Sequence, residues 1–141
     1  MSEGRILALD YGEKRSGIAV TDPFQMIASA LGSVATQDLI KTLHAYVSEE
    51  AVTTFVIGEP KQRDNSPSEI EAEILKFIEK LRQEFPGIKI ERQDERYTSK
   101  MAMQSLVESG VKKKKRQDKA LLDEVSATLI LQAYLDRTRT K

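Results

Sequence analysis

The order of the apolar segments limits the fold of this chain more than any other feature of its sequence. Three short apolar runs come first, separated by polar turns, and they lie at residues 6–9, 17–21 and 26–34. Short runs of this kind, bounded by turn residues, predict strands. Because the connections are short, we expect three neighbouring strands in an antiparallel meander. An apolar stripe with helical spacing at residues 39–47 then predicts the first helix.

The second part of the chain alternates between strand and helix patterns. A buried strand is predicted at residues 55–58, a helix with one apolar face at residues 67–85, and another strand at residues 88–94. Ser66 is expected to cap this helix, with Glu69 three residues later completing a capping box.

Two more helices are predicted after the last strand. The first carries apolar residues between 102 and 107 and ends near Gly110. The second spans about residues 120–136. Its predicted apolar line consists of Leu122, Val125, Leu129 and Ala133.

This order of elements predicts an α/β fold. We expect one mixed five-stranded sheet flanked by helices, with the antiparallel meander on one side and parallel strands on the other. A chain of 141 residues suits one hydrophobic core, so residues 1–141 are predicted to form a single domain.

The composition excludes several classes of site. The chain has no Cys and one His, which rules out disulfides, zinc ribbons, iron–sulfur clusters, thiol catalysis and His-rich metal sites. The apolar stretch before Asp10 is too short for a signal peptide, so a cytoplasmic protein without a membrane segment is expected.

The charges are balanced overall but not along the chain. The 22 basic and 22 acidic residues cancel, yet residues 1–70 carry 6 basic and 10 acidic side chains (−4), and residues 71–141 carry 16 and 12 (+4). Five consecutive residues are basic: Lys112, Lys113, Lys114, Lys115 and Arg116. Such a run is either a solvated surface or a basic loop that binds phosphates without reading sequence.

Acidic residues occupy the ends of predicted strands. Asp10 ends the first strand, Asp94 and Glu95 end the last one, and Asp123 lies in the first turns of the last helix. Each alone can be a turn residue, an exposed loop residue or a complement to a helix dipole. If the fold gathers them, their repulsion requires a cation, and ligands that are all oxygens favour Mg²⁺ or Mn²⁺. Divalent ions bound by carboxylates commonly catalyse the hydrolysis of phosphodiester bonds.

Four ordered motifs resemble the YqgF/RuvX family. They are LALDYGEKRSGIAV, VIGEP, DERYTS and the block KKKKR…LLDEVSATLILQAYL, and the likeness extends from about residue 5 to residue 136. The resemblance implies an RNase H-like fold, similar to that of RuvC-type Holliday junction resolvases. It also implies a nuclease that matures the 5′ end of pre-16S rRNA. On this resemblance Asp10, Glu95 and Asp123 are the metal-binding catalytic acids.

Two further acids, Asp94 and Glu59, lie within the family motifs. Asp94 is expected to orient Arg96 or its loop. Glu59 stands where the family commonly has an apolar residue, so it is either a surface substitution or an auxiliary metal ligand.

Several cations adjoin these acids and are predicted to bind nucleic acid. Lys14 and Arg15 follow Asp10, Arg96 follows Glu95, and the basic run at residues 112–116 precedes the helix with Asp123. The alternative is local charge balance, although the planar guanidinium of Arg96 suits two-pronged phosphate binding.

The remaining candidates are aromatic. Tyr11 and Tyr97 each have two possible roles: stacking on a base of the nucleic acid, or packing within the protein. His44 is expected to have no carboxylate partner and no catalytic role.

Three functions remain open at this point. The first is a nuclease acting on structured RNA, and the second is a resolvase of branched DNA, which must be dimeric to cut two strands symmetrically. The third is an RNA-binding assembly factor without catalysis. The chain is too short for the two lobes of an actin-like ATPase, and a monomer or weak dimer is expected.

Overall fold

The computed structural model describes residues 4–61, 68–95, 104, 107, 108, 110 and 119–139. Its strands are β1 (Arg5–Asp10), β2 (Arg15–Thr21), β3 (Ala28–Ala35), β4 (Val52–Glu59) and β5 (Lys89–Asp94). Its helices are α1 (Leu39–Glu49), α2 (Glu71–Glu84) and α3 (Lys119–Arg139), and a short 3-10 turn (Thr36–Asp38) precedes α1.

The five strands form one mixed sheet in the order β3-β2-β1-β4-β5. The first three strands are antiparallel neighbours, whereas β4 pairs in parallel with β1, and β5 in parallel with β4. The predicted α/β fold, with a meander on one side and parallel strands on the other, is confirmed. Because β1, β4 and β5 run in the same direction, their carboxyl ends meet at one edge of the sheet.

Helices cover both faces of the sheet. On one face α1 and α2 pack against the alternate apolar side chains of β1, β2 and β4, including Leu7, Leu9 and Phe55. On the other face α3 packs against the intervening positions, including Ala8 and Ala19. The chain therefore has a layer of apolar side chains on each side of its sheet.

The structure corrects two predictions about helices. The helix α2 begins at Glu71 and not near Ser66, since residues 68–70 are described as non-helical; Ser66 itself lies outside the described residues. The buried face of α3 is also not the predicted apolar line. The side chains buried against the sheet are Ala127, Ile130, Leu131, Tyr134 and Leu135. The residues of the predicted line are only partly buried: Leu122, Val125, Leu129 and Ala133. The helix has apolar residues on all its sides, so its packing against the sheet determines which of them are buried.

The predicted helix over residues 102–107 lies mostly outside the described part of the chain. Residues 104, 107 and 108 are helical, and Gly110 has a φ of 76°, a conformation that suits glycine after a helix. Among the described residues, no helix is long and apolar enough to cross a membrane.

Candidate functional site

Asp10 lies at the carboxyl end of β1, on the face of the sheet that α3 covers. Successive side chains of a strand point to opposite faces, so Asp10 shares a face with Ala8, which belongs to the apolar cluster around α3. Burial, followed by the charge of Asp123, raises the pKa of Asp10 from 3.8 to about 7. The ionised form of this carboxyl group is therefore disfavoured unless a cation is near.

Asp123 reaches the same place from the first turns of α3. Gly17 is the Cα partner of Asp10 in the ladder between β1 and β2. A Cβ atom at Gly17 would lie 2.0 Å from the carbonyl oxygen of Asp123, so only glycine permits this contact. The Asp123 carboxylate accepts a hydrogen bond from Ser33 Oγ at 3.5 Å and lies 3.5 Å from Arg15 Nε. A glycine in β2 thus determines where the helix places its acid.

Glu95 follows β5, and its side chain lies over β4. Its backbone N–H donates to the carbonyl oxygen of Glu59 at 3.1 Å. A Cβ atom at Gly58 would lie 1.8 Å from Glu95 Oε2, so this glycine provides the space for the carboxylate. Oε2 is buried and has no hydrogen-bond partner among the described residues. Burial, followed by the charge of Asp10, raises the pKa of Glu95 from 4.5 to about 9.

These three carboxyl groups fit a hard divalent cation. All their donor atoms are oxygens, and the buried Oε2 of Glu95 has an unsatisfied bonding capacity that a cation would meet. Within the described ranges, no three acidic or imidazole groups stand close enough to enclose a metal ion by themselves. Mg²⁺ suits an open arrangement of this kind, because it retains several of its waters and does not need a closed cage of protein ligands.

Two of the predicted nucleic-acid-binding cations stand beside this site. Lys14 and Arg15 are exposed, and together with Glu13 and Asp123 they line an open pocket of about 500 Å³. The ion pair between Arg15 and Asp123 is partly exposed, so it contributes little stability. The other predicted cations lie outside the described residues: Arg96, Lys112, Lys113, Lys114, Lys115 and Arg116.

The structure does not bring Glu59 to the three acids. Alternation along β4 places its side chain on the face opposite Gly58, where its carboxylate lies 3.8 Å from Lys61 Nζ. Asp94 is the Cα partner of Glu59 and lies 4.0 Å from the same Nζ. These two acids therefore share a lysine on the far side of the sheet.

Three residues that shape this site are not among the predicted site residues. Gly17 and Gly58 make room for two of the acids, and a glycine inside a strand pattern is a general signal of such a close approach. Arg92 lies on the opposite face, where its Nη1 and Nη2 each donate to the Glu71 carboxylate at 2.9 Å. Its guanidinium also donates to two carbonyl oxygens of β4, and its charge lowers the pKa of Glu95 against the larger effects of burial and of Asp10.

Two further side chains have partners away from the acids. His44 Nε2 lies 2.7 Å from Glu84 Oε1, so the prediction that this histidine lacks a carboxylate partner is wrong. The pair joins α1 to the end of α2 and is about half exposed. Tyr11 packs against Phe77, with 5.0 Å between the ring centroids, while Tyr97 lies outside the described residues.

Comparisons with known proteins identify the family of this chain. The sequence profile of the family described as "RuvX: Holliday junction resolvase" matches residues 4–137. A protein of Christiangramia forsetii named "Putative pre-16S rRNA nuclease" is 55% identical over 131 residues, which are 93% of this chain and 97% of the relative. A protein of Flavobacterium psychrophilum with the same name is 53% identical over 133 residues, 94% of this chain and 97% of the relative. A third protein with this name, from Porphyromonas gingivalis, is 52% identical over 133 residues, which are 94% of this chain and 96% of the relative.

Proposed function

The chain belongs to the RuvX family of Holliday junction resolvases, and from this premise we propose that it is a divalent-metal-dependent nuclease. Relatives with pre-16S rRNA nuclease in their names support a hydrolase acting on nucleic acid. The proposed reaction is hydrolysis of a phosphodiester bond, with Mg²⁺ or Mn²⁺ held by Asp10, Glu95 and Asp123.

The observation that carries this proposal is the buried carboxylate oxygen of Glu95. It has no hydrogen-bond partner among the described residues, and it interacts electrostatically with Asp10, which interacts in turn with Asp123. A buried carboxylate oxygen without a hydrogen-bond partner destabilises a fold, so a proton or a cation must satisfy it. A divalent ion at this edge of the sheet gives the three acids a common role.

Each residue of the site has a distinct part in the proposed mechanism. A bound metal ion would supply an activated water and stabilise the leaving oxygen. Asp10 and Glu95 project from the sheet, while the hydroxyl of Ser33 makes a long hydrogen bond of 3.5 Å to the carboxylate of Asp123. Arg15 lines the open pocket beside Asp123, where it can bind the phosphate on either side of the cleaved bond.

We propose the 5′ end of pre-16S rRNA as the substrate, because the names of the relatives specify this RNA. Branched DNA is the second candidate, favoured by the description of the family as Holliday junction resolvases. Cation contacts to phosphates do not distinguish between RNA and DNA, so the substrate must be identified by experiment.

The test compares the wild type with Asp10→Asn on two substrates, a pre-16S rRNA with its 5′ leader and a four-way DNA junction. Each is incubated with Mn²⁺ or with a chelator. We expect the wild type with metal to cleave the RNA, and the variant to be slower by about a thousandfold, since a lost metal ligand removes several kcal/mol of transition-state stabilisation.

The same experiment includes a folding control and the outcomes that would contradict the proposal. Circular dichroism must show that Asp10→Asn is folded, since the amide preserves the shape of the carboxyl group. Cleavage of the junction alone would establish the resolvase alternative. A folded wild type that cuts neither substrate, yet binds RNA equally well with and without metal, would be the non-catalytic assembly factor.

A further inference from the structure

We propose that the pocket behind the loop between β1 and β2 binds one nucleotide of a single-stranded segment that flanks the cleaved bond. This inference rests on the proposed nuclease function and adds the class of substrate: nucleic acid with a single-stranded extension. The pocket has a volume of about 450 Å³ and lies on the face covered by α1 and α2. This volume is within the range of small-molecule binding sites.

The pocket adjoins the acid site across a single loop. Tyr11 follows Asp10 in the chain, and because strand side chains alternate, it faces the side of the sheet opposite to the three acids. Glu13 lines both this pocket and the one formed by Lys14, Arg15 and Asp123. A strand of nucleic acid that crosses this loop therefore passes directly from one pocket to the other.

The pocket combines the features that bind a nucleotide. Tyr11 is partly buried against the core residue Phe77, so its ring is held in place and offers one aromatic face, and stacking on such a face tolerates any base. Gln37 is exposed at the rim, where its amide can donate and accept hydrogen bonds with a base edge. Lys76 and Lys80 lie one turn apart on α2, and both are exposed for contact with phosphate.

Acidic residues in the pocket favour a nucleotide over a free anion. Glu13 and Glu73 line it together with the two lysines, so the pocket has no net excess of positive charge. With no net positive charge the pocket attracts inorganic phosphate only weakly, whereas a base adds amino groups from which the two carboxylates can accept hydrogen bonds.

The wall between the two pockets is fixed by hydrogen bonds. The hydroxyl of Thr36 donates to the carbonyl oxygen of Gly12 at 2.6 Å, and the N–H of Gly12 donates to Ser16 Oγ at 3.2 Å. The two hydroxyl oxygens are themselves 2.8 Å apart, and Ser16 is fully buried. The loop is thus held in one position before substrate arrives, which reduces the entropic cost of binding.

The test measures binding, so that it does not depend on cleavage. Fluorescence anisotropy gives the affinity of two RNA duplexes, one blunt and one with a single-stranded tail of about six nucleotides, a span that fits single-stranded binding sites. The protein variants are wild type, Lys76→Ala/Lys80→Ala, and the charge-matched control Lys41→Ala/Lys89→Ala, whose lysines lie outside the pocket. Gln37→Ala serves as a second pocket variant with no change of charge.

We expect wild type to prefer the tailed duplex, and the Lys76→Ala/Lys80→Ala variant to lose about tenfold in affinity for the tail while binding blunt RNA almost unchanged. The control should keep the preference. Equal losses for tailed and blunt RNA, or a wild type without preference, would overturn the inference. If metal-dependent cleavage is observed without a tail preference, this inference alone fails. If the tail preference is observed without any cleavage, the pocket is supported and the nuclease proposal fails.

Discussion

The two faces of the sheet are built from side chains of different size. The face covered by α1 and α2 carries large apolar residues such as Leu9 and Phe55, which pack against further large residues of the helices. The face covered by α3 carries Ala8 and Ala19 at the neighbouring positions. Both faces are buried, so the difference lies in how closely the covering helix can approach the strands.

This difference separates stabilisation from the positioning of the acids. On the small-residue face, α3 lies so close that the backbone of Asp123 contacts Gly17, and an acid on a helix thereby meets an acid on a strand. On the large-residue face, buried Leu, Ile and Phe side chains supply most of the hydrophobic stabilisation. We infer that mutations on the face covered by α3 should lower cleavage per folded molecule, whereas mutations on the other face should lower stability alone.

The largest effect is expected for Gly17→Ala. The added methyl group would lie 2.0 Å from a backbone oxygen of α3, which cannot rotate away as a side chain can. Overpacking of this severity should cost about 3 kcal/mol of unfolding free energy. Moving Asp123 by about 1 Å should lower cleavage about a hundredfold. Urea unfolding and the cleavage rate of the folded protein measure the two effects.

Gly32→Ala is the matched control for this substitution. Gly32 lies in β3, and a Cβ atom there would meet nothing within 4 Å. Alanine at this position should leave cleavage unchanged and alter stability by at most about 1 kcal/mol, since strand glycines are entropically unfavourable. Equal effects of the two substitutions would show that the contact with α3 has no special role.

Leu43→Ala should have the next largest effect, confined to stability. Leu43 of α1 is fully buried in the large-residue face. Its truncation should cost about 3 kcal/mol through lost burial and the cavity left behind. The folded fraction should cleave at the wild-type rate, because α1 contributes no acid to the site. A parallel loss of cleavage per folded molecule would mean that the two faces are coupled.

The same comparison explains what the sequence can and cannot predict. Strand order and the buried strands follow from local apolar patterns. Asp10 and Glu95 are expected near one edge because the strands that precede them end there, whereas the choice of Asp123 as the third acid comes from the family resemblance. Counting residues along β4 would also have placed Glu59 opposite Gly58, since strand side chains alternate.

The buried face of α3 and the position of Asp123 depend on contacts between distant parts of the chain, which local sequence patterns do not indicate. The buried face of α3 was misjudged because Leu122 and Leu129 are as apolar as Ile130, and the small residues of the sheet select among them. The close approach at Gly17 joins residues about a hundred positions apart in the chain. Glycines within strand patterns signal such an approach without identifying the partner.

The pH dependence of stability should also distinguish the acid site from the rest of the fold. Burial and neighbouring acids raise the pKa of Asp10 from 3.8 to about 7 and that of Glu95 from 4.5 to about 9. Between about pH 4 and pH 9 the native state therefore binds more protons than the unfolded state. Without metal, stability should therefore fall as pH rises through this window.

Glu95→Gln tests the origin of this slope, because the amide has the shape of the acid without its charge. Thermal unfolding with a chelator at pH 5, 7 and 9 should show a flatter profile for the variant, and the variant should be the more stable protein at pH 9. Mg²⁺ should stabilise the wild type more at pH 9 than at pH 5, since a cation competes with protons for the carboxylates. Parallel profiles of wild type and variant would assign the slope to other groups.

The smallest effect on stability is expected for Arg15→Gln, although its effect on binding should be clear. The pair between Arg15 and Asp123 spans 3.5 Å, and 41% of the arginine side chain is exposed, so its loss should change the unfolding free energy by less than about 0.5 kcal/mol. If this arginine contacts a phosphate, the slope of log affinity against log salt concentration should decrease by about 1. Arg82→Gln is the charge-matched control, since Arg82 on α2 pairs with Glu79 and is 58% exposed. A salt slope that changes equally in both variants would mean that the overall charge, and not the place of Arg15 beside Asp123, determines binding.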